Sequence, residues 1–260
     1  MHYHFLTGLC LMLLFSQPAA AEAMTYELAQ QRLEVLSQQL SAKPGDSQLL
    51  LKRGDLHFQI HDFDKAIADY SAALATSPEL AEAYFGRGMA LGRAGQIKEG
   101  IADLTRFLKQ RPDSSLGYTK RGVRYLWLGE RDHAEKDLLQ AVALNPRNAE
   151  AHDDLGVIYA QKGELKKALS HFKQTITYDP NYQKGYHNLA LGYFLSTDAE
   201  TALHYINQAL HLQPKNRNSL MLKAEILGHL GRVNEAKVAQ EEADYLPEGN
   251  WSEEAPTPKN

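Results

Sequence analysis

The residues best suited to chemistry in this sequence are two histidines and a short acidic stretch. His57 and His61 are four positions apart, and this spacing on a helix places both rings on one side, as a metal site requires. No third ligand accompanies them, so we interpret them as a core histidine and a turn histidine. The stretch His152–Asp154 offers two carboxylates, but adjacent residues of a helix do not face each other. We therefore predict no catalytic residues, no metal site and no cofactor, and hence no enzyme.

The composition is that of a folded protein with little attraction to polyanions. Of the 260 residues, 43% are hydrophobic and 23% are charged, and the formal net charge is −4. This composition supports a sizeable apolar core, and the sequence contains no long run of like charges. We therefore expect neither nucleic acid nor an anionic membrane surface as a partner.

The first 23 residues differ from the rest of the chain. Phe5–Phe15 is an apolar run of eleven residues, which is too short to span a bilayer but long enough for the core of a secretory signal. Pro18 follows it, and Ala19–Ala21 and Ala21–Ala23 both fit the pattern of two small residues one position apart that is typical of a cleavage site. Residues 1–23 are therefore predicted to be a signal peptide, and the protein is expected to be periplasmic or secreted, without a membrane span after cleavage.

The most regular feature of the sequence is the spacing of its prolines. Six of them are spaced 34 residues apart, and a seventh follows after 33: Pro44, Pro78, Pro112, Pro146, Pro180, Pro214 and Pro247. A period of this length indicates a solenoid of stacked helical units. We number the positions of each repeat from Ser47, Ala81, Ser115, Ala149, Gln183 and Arg217.

Two positions of the repeat hold small residues throughout. Position 8 is glycine or alanine, and so is position 20, as in Gly88 and Gly100 of the second repeat. Glycine inside a helix costs about 1 kcal/mol relative to alanine, so its retention at position 8 in four repeats indicates that a second helix approaches closely there. Large residues at positions 4 and 11 complete one face of the first helix. A glycine-containing break then separates it from the second helix.

These features resemble the tetratricopeptide-repeat family, most clearly over Ala149–Pro180. The resemblance implies an all-α fold, a right-handed α-solenoid of helix-turn-helix repeats with an N-terminal capping helix over residues 24–46. Six repeats follow over residues 47–249, at 47–80, 81–114, 115–148, 149–182, 183–216 and 217–249. The last helix is predicted to have the polar outer face of a terminal repeat. Residues 250–260 are predicted to be a disordered tail, with Trp251 as its only anchor candidate.

Arginine and aspartate recur together in the first three repeats. Position 7 is Arg53, Arg87 and Arg121, and position 23 is Asp69, Asp103 and Asp137. Both types disappear from the later repeats. Because an unpaired charge near a helix interface is costly, we predict three structural ion pairs, either within a repeat or between neighbouring repeats.

The opposite side of the first helices carries apolar residues. Position 9 is apolar in four consecutive repeats, and residues at positions 2, 5, 12 and 13 extend this stripe. The predicted partner-binding groove consists of Phe85, Met89, Leu116, Val123, Trp127, Val157, Leu191, Phe194 and Leu195. The resemblance identifies this side as the concave groove. A contiguous apolar surface usually marks a partner site, although packing between first helices would also explain part of it.

We therefore expect a protein-interaction scaffold that docks a peptide or a helix of a partner protein in an apolar concave groove. For an exported member of this family, the resemblance suggests an adaptor role in the cell envelope. The alternative is a structural envelope protein that forms a homo-oligomer through the same surface.

Overall fold

The computed structural model describes residues 26–247, and this part of the chain is entirely helical apart from its turns. The predicted signal peptide, residues 1–23, and the predicted tail, residues 250–260, lie outside the described residues. The thirteen described helices are α1 (Tyr26–Ala42), α2 (Ser47–Gln59), α3 (Phe63–Thr76), α4 (Ala81–Arg93), α5 (Ile97–Gln110), α6 (Ser115–Trp127), α7 (Arg131–Leu144), α8 (Ala149–Gln161), α9 (Leu165–Tyr178), α10 (Gln183–Leu195), α11 (Ala199–Leu212), α12 (Arg217–His229) and α13 (Val233–Asp244).

After α1, the helices alternate between a first and a second helix of each repeat. Every first helix begins at the residue where we start the repeat, from Ser47 to Arg217. Each helix packs mainly against the one before it and the one after it. The described chain is therefore a solenoid of six helical pairs preceded by the single helix α1.

A residue with positive φ closes the turn between the two helices of each pair. Four of these residues are glycines, including Gly95 with φ 87° and Gly231 with φ 74°. His61 and Thr197 hold the same conformation in the first and fifth repeats, with φ 63° and 67°. The left-handed region favours glycine because it has no Cβ. In the fifth repeat Asp198 then caps α11 by accepting a hydrogen bond from the Thr201 amide at 3.1 Å.

The small residues at positions 8 and 20 allow the two helices of a pair to touch. A Cβ added to Gly100 would lie 2.7 Å from the carbonyl oxygen of Gly88, and a Cβ on Gly156 would lie 2.4 Å from the Phe172 ring. The cores of the repeats form around these contacts, from buried alanines and leucines of both helices. This close packing fixes the direction in which each first helix presents its outer side.

Candidate partner-binding surface

The arginines and aspartates of the first three repeats form ion pairs within each repeat. Each pair has two contacts, with Nε and Nη2 of the arginine donating to separate carboxylate oxygens. The distances are 2.7 and 2.6 Å for Arg53–Asp69, 2.6 and 3.0 Å for Arg87–Asp103, and 2.7 and 2.8 Å for Arg121–Asp137. Such two-point contacts fix the guanidinium plane. The pairs therefore set how the two helices of a repeat face each other.

Each of these arginines also donates to a hydroxyl on the helix that precedes its own repeat. The acceptor of Arg53 is Ser37 of α1, at 3.2 Å, and the acceptors of Arg87 and Arg121 are at position 25 of the preceding repeat, Ser71 at 3.1 Å and Thr105 at 3.0 Å. The sequence shows that the hydroxyl and the arginine disappear together. Position 25 of the third repeat is Leu139, and position 7 of the fourth repeat is Leu155. The arginines thus connect three helices.

A pair of histidines occupies the corresponding region of the fourth repeat. Nδ1 of His152 and Nδ1 of His171 are 3.0 Å apart, and Nε2 of His152 is 3.0 Å from the carbonyl oxygen of Pro146. A carbonyl only accepts, so Nε2 of His152 carries a proton, and its Nδ1 accepts from His171 when both rings are neutral. Burial lowers the pKa of His152, and it lowers the pKa of His171 to about 4, with His152 adding to the effect.

The nine predicted groove residues do not form one continuous exposed stripe. Leu116, Leu191 and Leu195 are exposed, whereas Phe85, Trp127, Val157 and Phe194 are half-buried. The prediction of exposure is wrong for Met89 and Val123, whose exposed fractions are 9% and 6%. The reason is packing, because α4, α6 and α8 contact one another along this side. The exposed apolar residues are therefore divided between the N-terminal and C-terminal repeats.

The Trp127 side chain packs against another residue of the same helix. Its ring lies 4.3 Å from the guanidinium carbon of Arg124, and Arg124 has no exposed surface. Nη2 of Arg124 also donates to the sulfur of Met89 at 3.3 Å. Space for this arginine comes from Gly92, where an added Cβ would lie 2.4 Å from Nε of Arg124. The Trp127 ring thus shields a buried cation from solvent, and only part of the ring is available to a partner.

The middle of this side is polar and internally paired. Lys120 contacts both carboxylate oxygens of Glu150, at 2.7 and 3.0 Å. Asp153 has no exposed surface, accepts from the Asn188 amide at 2.8 Å and lies 3.0 Å from Nζ of Lys184. Burial opposes the charge of Lys184, but Asp153 and Asp154 outweigh it and raise its pKa. Asp153 and Asp154 are thus buried, although their charges suggest that they would be solvated.

An apolar cleft lies at the N-terminal end of the same side. It has a volume of about 510 Å³ and is bounded by α2, α4, α5 and α6. Its apolar lining consists of Leu51, Phe85, Phe107 and Leu116. The two phenylalanine rings are 5.0 Å apart, and the side chain of Arg111 donates to Glu82 at the rim at 3.0 Å. We call this cleft the N-terminal pocket.

The described residues offer little for other kinds of site. Within residues 26–247 there is no group of three or more His, Cys, Asp or Glu side chains arranged to hold a metal ion. His57 lies 3.8 Å from Asp62 and 4.0 Å from Asp69, so it belongs to the interior of the first repeat. None of the helices α1–α13 is both long enough and apolar enough to cross a membrane.

A family model for the tetratricopeptide repeat matches residues 51–115 and 119–182. No curated protein is significantly similar to the chain in sequence. Solved structures are similar in fold. The Cut9–Hcn1 hetero-tetramer of the APC/C gives a TM-score of 0.75 at 18% identity, with the alignment covering 83% of this chain and 43% of the other.

Two smaller proteins align over nearly their whole length. MamA is 27% identical with a TM-score of 0.55, over 65% of this chain and 93% of MamA. YrrB, whose structure is described as that of a tetratricopeptide-repeat protein with an unusual peptide-binding site, is 24% identical with a TM-score of 0.55, over 72% of this chain and 97% of YrrB. The family-model match and the stacked helical pairs together support the assignment of this chain to the tetratricopeptide-repeat family.

Proposed function

We propose that this protein is an interaction scaffold whose first-helix side docks a peptide or a helix of a partner protein. Tetratricopeptide-repeat proteins commonly bind proteins or peptides, and the similar structure of YrrB is described as having a peptide-binding site. The fold alone does not identify a ligand. The proposal therefore depends on what the surface of this chain can bind.

The observation that carries the proposal is the N-terminal pocket. Leu116 is 51% exposed at its edge, and the half-buried Phe85 forms a wall together with Phe107. An apolar cleft with a polar rim is the usual site for the anchor residue of a peptide. The pocket would bury one large apolar side chain, while the Glu82–Arg111 pair at the rim offers polar groups to the peptide backbone.

The polar residues in the middle of the first-helix side have a different role from the apolar sites at its ends. Their charges are already paired within the protein, through Lys120–Glu150 and Lys184–Asp153, so a partner gains little by forming new ion pairs there. We infer that affinity comes from the apolar sites near the two ends and that the middle excludes unsuitable apolar segments. A partner would then be an extended peptide or a helix with an apolar anchor toward the N-terminal pocket.

A library of random short displayed peptides would test this proposal without knowledge of the natural partner. Peptides selected on the native protein should share a large apolar residue and should bind Leu116→Glu at least about tenfold more weakly, equivalent to about 1.4 kcal/mol. The matched control is Leu144→Glu, because Leu144 is also exposed but lies at the end of α7, outside the N-terminal pocket. Equal loss of binding in both variants, or no selection of peptides at all, would contradict the proposal.

A second candidate is self-association through the same surface. Leu191, Leu195 and Met221 are exposed near the C-terminal end of the described chain, and apolar residues of this kind could meet in a homo-oligomer. Light scattering on the purified protein distinguishes the two functions. A monomer favours the scaffold, whereas a stable oligomer that Leu191→Glu dissociates favours self-association.

We also propose that the protein is exported and acts as an adaptor in the cell envelope or outside the cell. The proposal is supported by the apolar run and small residues of the first 23 positions. N-terminal sequencing of the protein recovered from its native compartment tests it. Cleavage after Ala21 or Ala23 is expected, and an intact N-terminus in the cytoplasm would contradict it.

A further inference from the structure

The C-terminal end of the solenoid contains an open cleft that no helix of the described chain covers. Its volume is about 820 Å³, and it is formed by α10, α12 and α13. The apolar residues that line it include Leu191, Met221 and Val233, all three of them exposed. The last helix, whose outer face is predicted to be polar, contributes the exposed Val233 to this lining. We call this cleft the end cleft.

The position of the end cleft corresponds to a helix-packing site in the other repeats. A Cβ added to Gly86 of α4 would lie 2.5 Å from the Tyr70 ring of α3, and one added to Gly192 of α10 would lie 3.0 Å from Leu169 of α9. In these two places the second helix contacts the next first helix through repeat positions 24 and 21. In α13 these positions are Lys237 and Gln240, and both line the end cleft.

We propose that the chain's own segment 248–260 covers the end cleft, with Trp251 as the anchor. This segment follows Pro247 directly and therefore begins where a further first helix would begin in a longer array. Trp251 is the only aromatic residue in it. A buried tryptophan removes about 150–250 Å² from water, which suits a cleft whose exposed apolar lining is leucine, methionine and valine.

The length of the connection is sufficient. Three residues lie between Pro247 and Trp251, so the four steps from one Cα to the next span about 13–14 Å when extended. The distance along α13 from its end at Asp244 back to Lys237 is about 10–11 Å at 1.5 Å per residue. Met221 lies near the start of α12, which is beside the end of α13 in the antiparallel pair. Trp251 can therefore reach the part of the end cleft beside Lys237 and Met221 without any movement of the helices.

Apolar contact, and not charge, supplies the attraction in this proposal. The lining includes one lysine, Lys237, and one glutamate, Glu225, whose effects on an acidic segment oppose each other. The inference goes beyond the proposed function and does not depend on it. Because Leu191 belongs to the first-helix side, docked Trp251 would also cover the C-terminal end of that side.

Tryptophan fluorescence tests the proposal on the full chain. The chain has two tryptophans, so the variant Trp127→Phe leaves Trp251 as the only one. We expect an emission maximum to the blue of free indole, together with protection from iodide quenching. Adding Met221→Glu should shift the emission to the red and abolish the protection. Val238→Glu is the control, because Val238 is an exposed apolar residue of α13 that does not line the end cleft.

Each outcome is decisive when circular dichroism shows that the variants keep their helical content. Protection of Trp251 that is independent of dilution and is lost only in Met221→Glu supports the proposal. Emission like that of free indole in the parent variant overturns it. Equal effects of Met221→Glu and Val238→Glu also overturn it, and protection that disappears on dilution assigns the cleft to the segment of a second copy instead.

Discussion

Arg121 and Asp137 are joined by two hydrogen bonds, from Nε to Oδ2 at 2.7 Å and from Nη2 to Oδ1 at 2.8 Å. The same arginine donates to Thr105 on the preceding second helix at 3.0 Å. One guanidinium therefore connects α5, α6 and α7. The arrangement occurs three times along the N-terminal half of the solenoid, so stability there should depend on it.

We predict that Asp137→Ala destabilises the protein strongly. Removing one partner of a buried pair costs about 3–5 kcal/mol, and the 17% exposure of the Arg121 side chain places the expected cost near 3 kcal/mol. The melting temperature should fall by about 2–4 °C for each kcal/mol, measured by circular dichroism. Asp132→Ala, on the exposed side of the same helix, is the control and should change little. A melting curve unchanged by Asp137→Ala would reject the structural role of the pair.

Two glycines in helices should respond in opposite ways to alanine. Gly100→Ala places a Cβ 2.7 Å from a backbone oxygen of Gly88, whereas a Cβ on Gly228 meets nothing within 4 Å. We expect Gly100→Ala to cost about 1–3 kcal/mol through overpacking and Gly228→Ala to add up to about 1 kcal/mol through helix propensity. Urea denaturation of both variants measures the difference. Similar stabilities would show that the helices of the second repeat do not approach as closely as described.

Trp127 should matter for folding as well as for binding. Trp127→Ala exposes the buried guanidinium of Arg124 and removes a contact with its ring at 4.3 Å, so we expect a loss of about 2 kcal/mol or more. Trp127→Phe keeps an aromatic face over Arg124 and should retain most of the stability. Thermal melts of both variants check this prediction. Equal melting temperatures of Trp127→Ala and Trp127→Phe would show that Trp127 does not shield Arg124.

The protein should lose stability in mild acid. The pKa of His171 is lowered to about 4 by burial and by His152, whereas in the unfolded chain it is about 6.5. The unfolded state therefore binds more protons below about pH 6.5, and stability falls as the pH falls from there toward about 4. Protonation of both rings would also place two N–H groups against each other.

Melting temperatures between about pH 7.5 and about pH 5 measure this effect. His171→Gln should remove part of the pH dependence, on the order of 1 kcal/mol or about 2–4 °C. His211→Gln is the control, because His211 is exposed. His187, whose pKa burial also lowers to about 4, should account for part of the dependence that remains. A pH profile identical in native protein and His171→Gln would contradict the assignment.

The sequence predicts the helical pairs well because their determinants are local and periodic. The proline spacing, the small residue at position 8 and the glycine at the turn all recur, so Ser47 and Arg217 could be identified as helix starts from the pattern alone. The arginine–aspartate pairs also followed from their joint appearance. Ser37, Ser71 and Thr105 vary with the arginines and could have been found in the same way.

The surface was harder to predict because it depends on how closely neighbouring first helices approach. Met89 and Val123 have the pattern of exposed residues, but the contacts among α4, α6 and α8 bury them. Arg124 occupies a position that is apolar or small in the other repeats, and only the space left by Gly92 of another repeat accommodates it. The 34-residue period of the sequence does not reveal such contacts between repeats.

Site-specific photo-crosslinking tests the proposed binding side most directly. A photoreactive phenylalanine analogue would replace Leu116 at the N-terminal pocket or Leu144 outside it, in otherwise identical full-length proteins in their native cells. We predict that the protein with the analogue at position 116 forms a crosslink to a partner protein, and that a selected peptide suppresses this crosslink. Crosslinks of equal yield from position 144, or a crosslink at 116 that the peptide leaves unchanged, would contradict docking in the N-terminal pocket.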